Sequence, residues 1–177
     1  DKSKFSNENV DVVKIVKEDE SADHEIKWGN EYKALAYTPW THTIKLEADM
    51  LWTSNTDWWW NHLWQHDLVF SVDCFDYRGN IVKHTPYRDL FARNCLPNIY
   101  NGLMYFRKCK KTYNFYKLAE HIVKDWEQVK KQMLIACHDE YPSTDVVFAL
   151  AYRLMDPTSR ELIDYEWFKF IHHKPGV

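Results

Sequence analysis

Three short β-rich runs set what this chain can fold into: Thr43-Ile44-Lys45-Leu46, Leu68-Val69-Phe70-Ser71-Val72 and Leu103-Met104-Tyr105-Phe106. Each has strand length and strand composition, and the second reads as a strand covered on both faces. Helical patterns lie between and after them. Trp28–Tyr37 is stopped by Thr38-Pro39, and Asp57 can cap a helix through Trp64. Tyr113–Cys137 carries Phe115, Leu118, Ile122, Trp126, Val129 and Met133 at helical spacing, a packing stripe rather than chemistry. Ser143 or Thr144 can cap a last helix, Asp145–Met155, halted by Asp156-Pro157. Val10–Val16 reads as a further short strand, and Asp76–Asn80 has turn chemistry. Asn98–Arg107 begins as a loop, and Trp167–Ile171 reads as a strand delivering His172 and His173. Strands alternating with helices over 177 residues, without repeat or linker, predict one α/β domain spanning residues 1–177.

Composition narrows the chemistry. The four glycines, Gly29, Gly79, Gly102 and Gly176, stand alone, so a P-loop or a dinucleotide fingerprint is absent. Phosphate binding must therefore use side chains or a metal. A formal charge of −3 argues against gripping a nucleic acid backbone, although a local patch could still hold one. The stretch Arg107-Lys108-Cys109-Lys110-Lys111 reads as a solvated face. No apolar run approaches membrane-span length and no signal peptide opens the sequence, so a cytoplasmic domain is expected. Cys74, Cys95, Cys109 and Cys137 lack metal or redox spacing and are expected as free thiols. The tryptophans Trp52, Trp58, Trp59, Trp60 and Trp64 could stack bases or sugars, with core filling as the plainer role.

Polar groups gather at the ends of apolar strands in three places. Glu47-x-Asp49 follows the first run directly, and two carboxylates two apart on an extended segment can hold one divalent cation. His172 ends the last run with Lys174 beside it, a metal ligand and a point charge for phosphate. Asp145 opens a helix after a polar loop, where helix-dipole stabilisation alone would account for it.

The order of these pieces resembles the metal-dependent, DxD-type nucleotide-sugar glycosyltransferases of the GT-A fold. TIKLEADML resembles that family's DxD strand, with Glu47 in place of the first Asp. YNGLMYFRK is similar to its Asn-x-Gly strand, matching at Asn101 and Gly102. PSTDVVFAL is similar to the segment that sets an acidic residue beside the transferred sugar, and FKFIHHKPG to the C-terminal strand with a metal-binding His and Lys-Pro. The resemblance covers roughly residues 28 to 176 and implies a Rossmann-like three-layer domain with a mostly parallel central sheet. It further implies Mn²⁺ or Mg²⁺ on Asp49 and His172, with Glu47 on the metal through water or on the donor ribose. Lys174 and Gly102 would help hold the nucleotide-sugar donor, and Asp145 and Asn101 would serve the reaction centre. Asp49 and His172 should then face one cleft, with Glu47 and Asp145 lining it and Lys174 at its rim.

The family's domain opens with a nucleotide-binding strand and helix that nothing before Val10 supplies. The chain is therefore expected to be a piece of a longer protein that lacks them, with a bare or partnered sheet edge near Val12–Val16. A metal-dependent nucleotidyltransferase is the alternative enzyme, and a non-catalytic Trp-rich binding module the alternative of another class. The acceptor is left open.

Overall fold

A computed structural model describes residues 29–82, 85–155 and 162–173. The expected strand Val10–Val16 and its sheet edge lie outside them, as does Lys174.

A 3₁₀ turn, Glu31–Lys33, leads into α1 (Ala34–Tyr37) and then β1 (His42–Leu46). A second 3₁₀ turn, Asp57–Trp59, leads into α2 (Trp60–Leu63), followed by β2 (Leu68–Val72) and the two-residue β3 (Phe75–Asp76). After α3 (Pro86–Arg93) come β4 (Ile99–Arg107), α4 (Lys110–Lys124), α5 (Trp126–Met133), α6 (Thr144–Met155) and β5 (Ile171–His172). Among the described residues no helix is long and apolar enough to cross a membrane.

The sheet corrects the sequence reading. A mostly parallel, Rossmann-like GT-A sheet was expected. The main sheet instead has three strands in the order β1-β4-β2, and β4 runs antiparallel to both neighbours. A separate parallel pair joins β3 to β5, with Phe75 opposite Ile171 and Asp76 opposite His172. The reason lies in the burial of β4, whose residues Ile99–Phe106 are all buried. Met104 and Phe106, with Leu68 and Phe70, face Phe115, Ala119, Ile122 and Phe148 of the helices. Leu103 and Tyr105, with Val69, face Trp59, Leu63 and Phe168. A strand covered on both faces reads as one continuous apolar run whichever way it points. Direction is set by the connection, which passes through α3 and returns the chain beside the end of β2, with Ile99 opposite Val72.

Smaller differences have local causes. The strand expected from Leu103 begins at Ile99, because the loop-like Asn-Gly pair sits inside it. The long helix breaks at Asp125 (φ −107°, ψ 28°), and Trp126 is buried with its indole N–H donating 3.2 Å to the Asp139 carbonyl. Trp167 lies in a turn, so only Ile171–His172 of the last run is strand. Asp57 is the first residue of its 3₁₀ turn rather than its cap, and its N–H takes a 2.8 Å bond to Asn55 Oδ1. Ser143 Oγ accepts from the Val146 N–H at 3.3 Å, as a cap of α6 should. The four cysteines are unpaired, Cys74 buried and Cys95 exposed.

Candidate functional site

The site is built on an irregularity of β4. On its β2 side the register jumps from Phe70–Met104 to Ser71–Tyr100, so Asn101, Gly102 and Leu103 have no counterpart there. Such a bulge frees backbone groups that must find other partners in a buried strand. The Asn101 N–H donates to Asp145 Oδ1 at 2.7 Å, and its carbonyl accepts from Lys45 Nζ at 3.0 Å. Asn101 Nδ2 donates to Glu31 Oε2 at 3.1 Å, and Lys45 pairs with that same oxygen at 2.5 Å. The bulge is thus pinned by side chains from the 3₁₀ turn before α1, from β1 and from the start of α6. Asn101 Oδ1, fully buried, has no hydrogen-bond partner among the described residues.

Gly102 brings Glu47 onto this bulge. The Glu47 N–H donates to the Gly102 carbonyl at 3.2 Å, carrying the β1 pairing one residue past the strand. A Cβ at Gly102 would lie 3.3 Å from Glu47 Cδ and Oε2 and 3.1 Å from Met50 Cε. The glycine therefore serves close approach of a carboxylate to the strand. Burial pushes the Glu47 carboxyl above its ordinary pKa. Lys45 opposes this, while the charges of Asp145, Asp49 and Glu31 add to it. Glu47 thus feels the charge of three other carboxylates.

Asp145 is held from behind by Arg88, which sequence reasoning missed. Arg88 is 3% exposed and donates through Nη2 to Asp145 Oδ2 at 2.6 Å and through Nη1 to the Ile99 carbonyl at 2.8 Å. Its guanidinium lies 3.4 Å from the Tyr100 ring centroid. The signal for its helix was present, since Thr85-Pro86 is an N-cap followed by proline at the first helical position. Thr85 Oγ1 accepts from the Arg88 N–H at 3.2 Å, so the cap itself fixes where Arg88 sits.

Glu47 and Asp49 line a cavity of about 420 Å³ together with His172 and His173. Two ends of the sequence therefore meet. Asp49 follows β1, and His172 is carried by β5 through its pairing with β3, its ring 6.4 Å from that of Phe170. His172 is half-buried and His173 exposed, and both reach the cavity. Met50, Leu51, Trp52 and Trp59 also line it, with Thr53, Ser54 and Thr56. Asp145, expected to line the cleft, is not among the lining residues, because both its oxygens are turned to Arg88 and the Asn101 amide. Among the described residues no three His, Cys, Asp or Glu side chains come together as a ready metal shell.

No protein-family model, curated protein or solved structure matches this chain. The functional reading therefore rests on the site.

Proposed function

We propose that the chain is a metal-dependent glycosyltransferase that moves a sugar from a nucleoside-diphosphate donor to an acceptor hydroxyl. The observation that carries this reading is that Glu47, Asp49 and His172 line one cavity from opposite ends of the sequence. Two carboxylates and an imidazole are a donor set that suits Mn²⁺, and to a lesser degree Mg²⁺. The crowding of negative charge around half-buried Glu47 fits a site completed by a cation. Closing the shell takes side-chain movement, since among the described residues no three donors are already gathered.

When bound, the cation would neutralise the charge that develops on the departing diphosphate. The chain's own residues do the rest. Gly102 leaves room for Glu47 against the bulge, and the Arg88–Asp145 pair fixes the Asn101 amide that shapes it. In the transfer, the acceptor oxygen bonds to the anomeric carbon and the bond from that carbon to the phosphate oxygen breaks. The electron pair leaves on the diphosphate, which also takes the hydroxyl proton. Asp145 acts through Asn101 in this reading, and Lys174 next to His173 supplies charge for the diphosphate. A cytoplasmic setting and a nucleotide-sugar partner go with it.

The test is release of nucleoside diphosphate from a panel of nucleotide sugars, with and without Mn²⁺. Wild type should release it from at least one donor in a Mn²⁺-dependent way, and Asp49→Ala should not. Pyrophosphate release from nucleoside triphosphates instead would favour a nucleotidyltransferase, and no release from any donor would favour a binding module.

A further inference from the structure

The cavity has lining residues that the donor chemistry does not use. Trp52 is 44% exposed, yet it has a buried ring to pack on. Its ring stands edge-on to Trp59 at 5.2 Å and 64°, and Trp59 is 7% exposed. Trp59 in turn packs on Trp167 at 5.4 Å and Phe168 at 5.1 Å. An indole packed on a buried ring and lining a cavity is a stacking platform whose ordering on binding costs little conformational entropy. Thr53 and Ser54 follow it in sequence and line the same cavity, offering hydroxyl donors and acceptors beside an apolar ring. Flat apolar faces rimmed by hydroxyls are the complement of a pyranose.

Charge selects among flat ligands. Glu47 and Asp49 make the cavity acidic, and the lining lysine, Lys169, has a side chain 8% exposed and already paired with Asp164 at 3.2 Å. A second polyanion beside a donor diphosphate would meet repulsion there, which disfavours a nucleic acid. An uncharged glycoside would not.

Resting on the glycosyltransferase reading, we propose that Trp52, Thr53 and Ser54 form the acceptor subsite and that the acceptor is an uncharged saccharide. One pyranose face stacks on the Trp52 indole, and the Thr53 and Ser54 hydroxyls hydrogen-bond its hydroxyls.

Saturation-transfer NMR and calorimetry, without metal, test this with methyl glucosides, galactosides and mannosides, maltose, cellobiose and chitobiose. Uridine and adenosine form a second arm. At least one glycoside should bind wild type, and Trp52→Ala should weaken it at least about tenfold, equivalent to about 1.4 kcal/mol. Trp52→Phe, which keeps a stacking face, should restore most of the loss. If Trp52→Ala does not fold, the exposed pair Thr53→Val/Ser54→Ala decides, and it should weaken the same glycoside. Failure of every glycoside to bind wild type overturns the proposal. So does binding that ignores these substitutions, or binding of nucleosides at Trp52 in place of glycosides. Mn²⁺-dependent binding of nucleoside diphosphates to wild type and Asp49→Ala is measured in parallel. Glycosides bound at Trp52 without any nucleotide binding would leave the subsite standing and remove the glycosyltransferase reading. Nucleotide binding without glycoside binding would do the reverse.

Discussion

Arg88→Met removes the cation that holds Asp145 while keeping most of the buried side-chain volume. Arg88 is 3% exposed and Asp145 19%, so the substitution leaves a partly buried carboxylate without its partner. It also deprives the Ile99 carbonyl of its 2.8 Å donor. Breaking a buried ion pair from one side costs about 3–5 kcal/mol, and the partial exposure of Asp145 sets the expectation at about 3 kcal/mol. For a domain of this size that is a fall in Tm of about 6–12 °C. The assay is urea denaturation of wild type, Arg88→Met, Asp145→Asn and the double variant. The loss belongs mostly to the stranded partner, so the double variant should be at least about 1 kcal/mol more stable than the sum of the singles predicts. The Asn101 amide loses its fixed acceptor, so Mn²⁺ binding should also weaken in Arg88→Met. A cost below about 1 kcal/mol, or single effects that add within about 0.5 kcal/mol, would refute the reasoning, because the pair would then not pin the bulge.

Three further outcomes follow from the same geometry. Gly102→Ala places a Cβ against the ends of two flexible side chains, so it should displace Glu47 and weaken Mn²⁺ affinity with a stability change under about 1 kcal/mol; calorimetric Mn²⁺ titration and thermal melts check both. The folded chain holds the Glu47 proton to a higher pH than the unfolded chain, so this group's contribution to stability falls as pH rises from the ordinary carboxylate range through the raised value. Glu47→Gln should therefore melt higher than wild type at neutral pH without metal, while binding Mn²⁺ more weakly and with a flatter pH dependence. His172→Ala should weaken Mn²⁺ binding more than His173→Ala, since His172 shares the side of β5 nearer Phe170, and equal losses would leave the ligand choice to reach alone.

The carboxylates at the end of β1 were legible in the sequence because a strand's end and an E-x-D triplet coincide. So were β2, copied to the residue, and the Ser143 cap of α6. The direction of β4 was not legible, since burial on both faces erases the alternation that would mark a one-sided strand. Its start was hidden for a related reason. Asn101-Gly102 reads as turn chemistry, and only the tertiary partners Asp145, Lys45 and Glu31 keep it inside a strand. Those partners come from three separate segments, and no local pattern links them. Thr85-Pro86 announces the helix start that carries Arg88, but its burial and its partners Asp145 and Ile99 are tertiary and leave no local mark. The Trp cluster divides by exposure, with Trp59 buried and Trp52 exposed though both line the cavity, a distinction that composition cannot make.

Whether Asp49 and His172 share a cation is tested most directly by electron paramagnetic resonance of Mn²⁺, in which the free ion's signal is lost on binding. In the presence of a nucleoside diphosphate, wild type should take up one Mn²⁺ per chain, Asp49→Ala none, and His172→Ala one with at least about tenfold weaker affinity, or about 1.4 kcal/mol. Uptake by Asp49→Ala and His172→Ala indistinguishable from wild type would contradict a shared site.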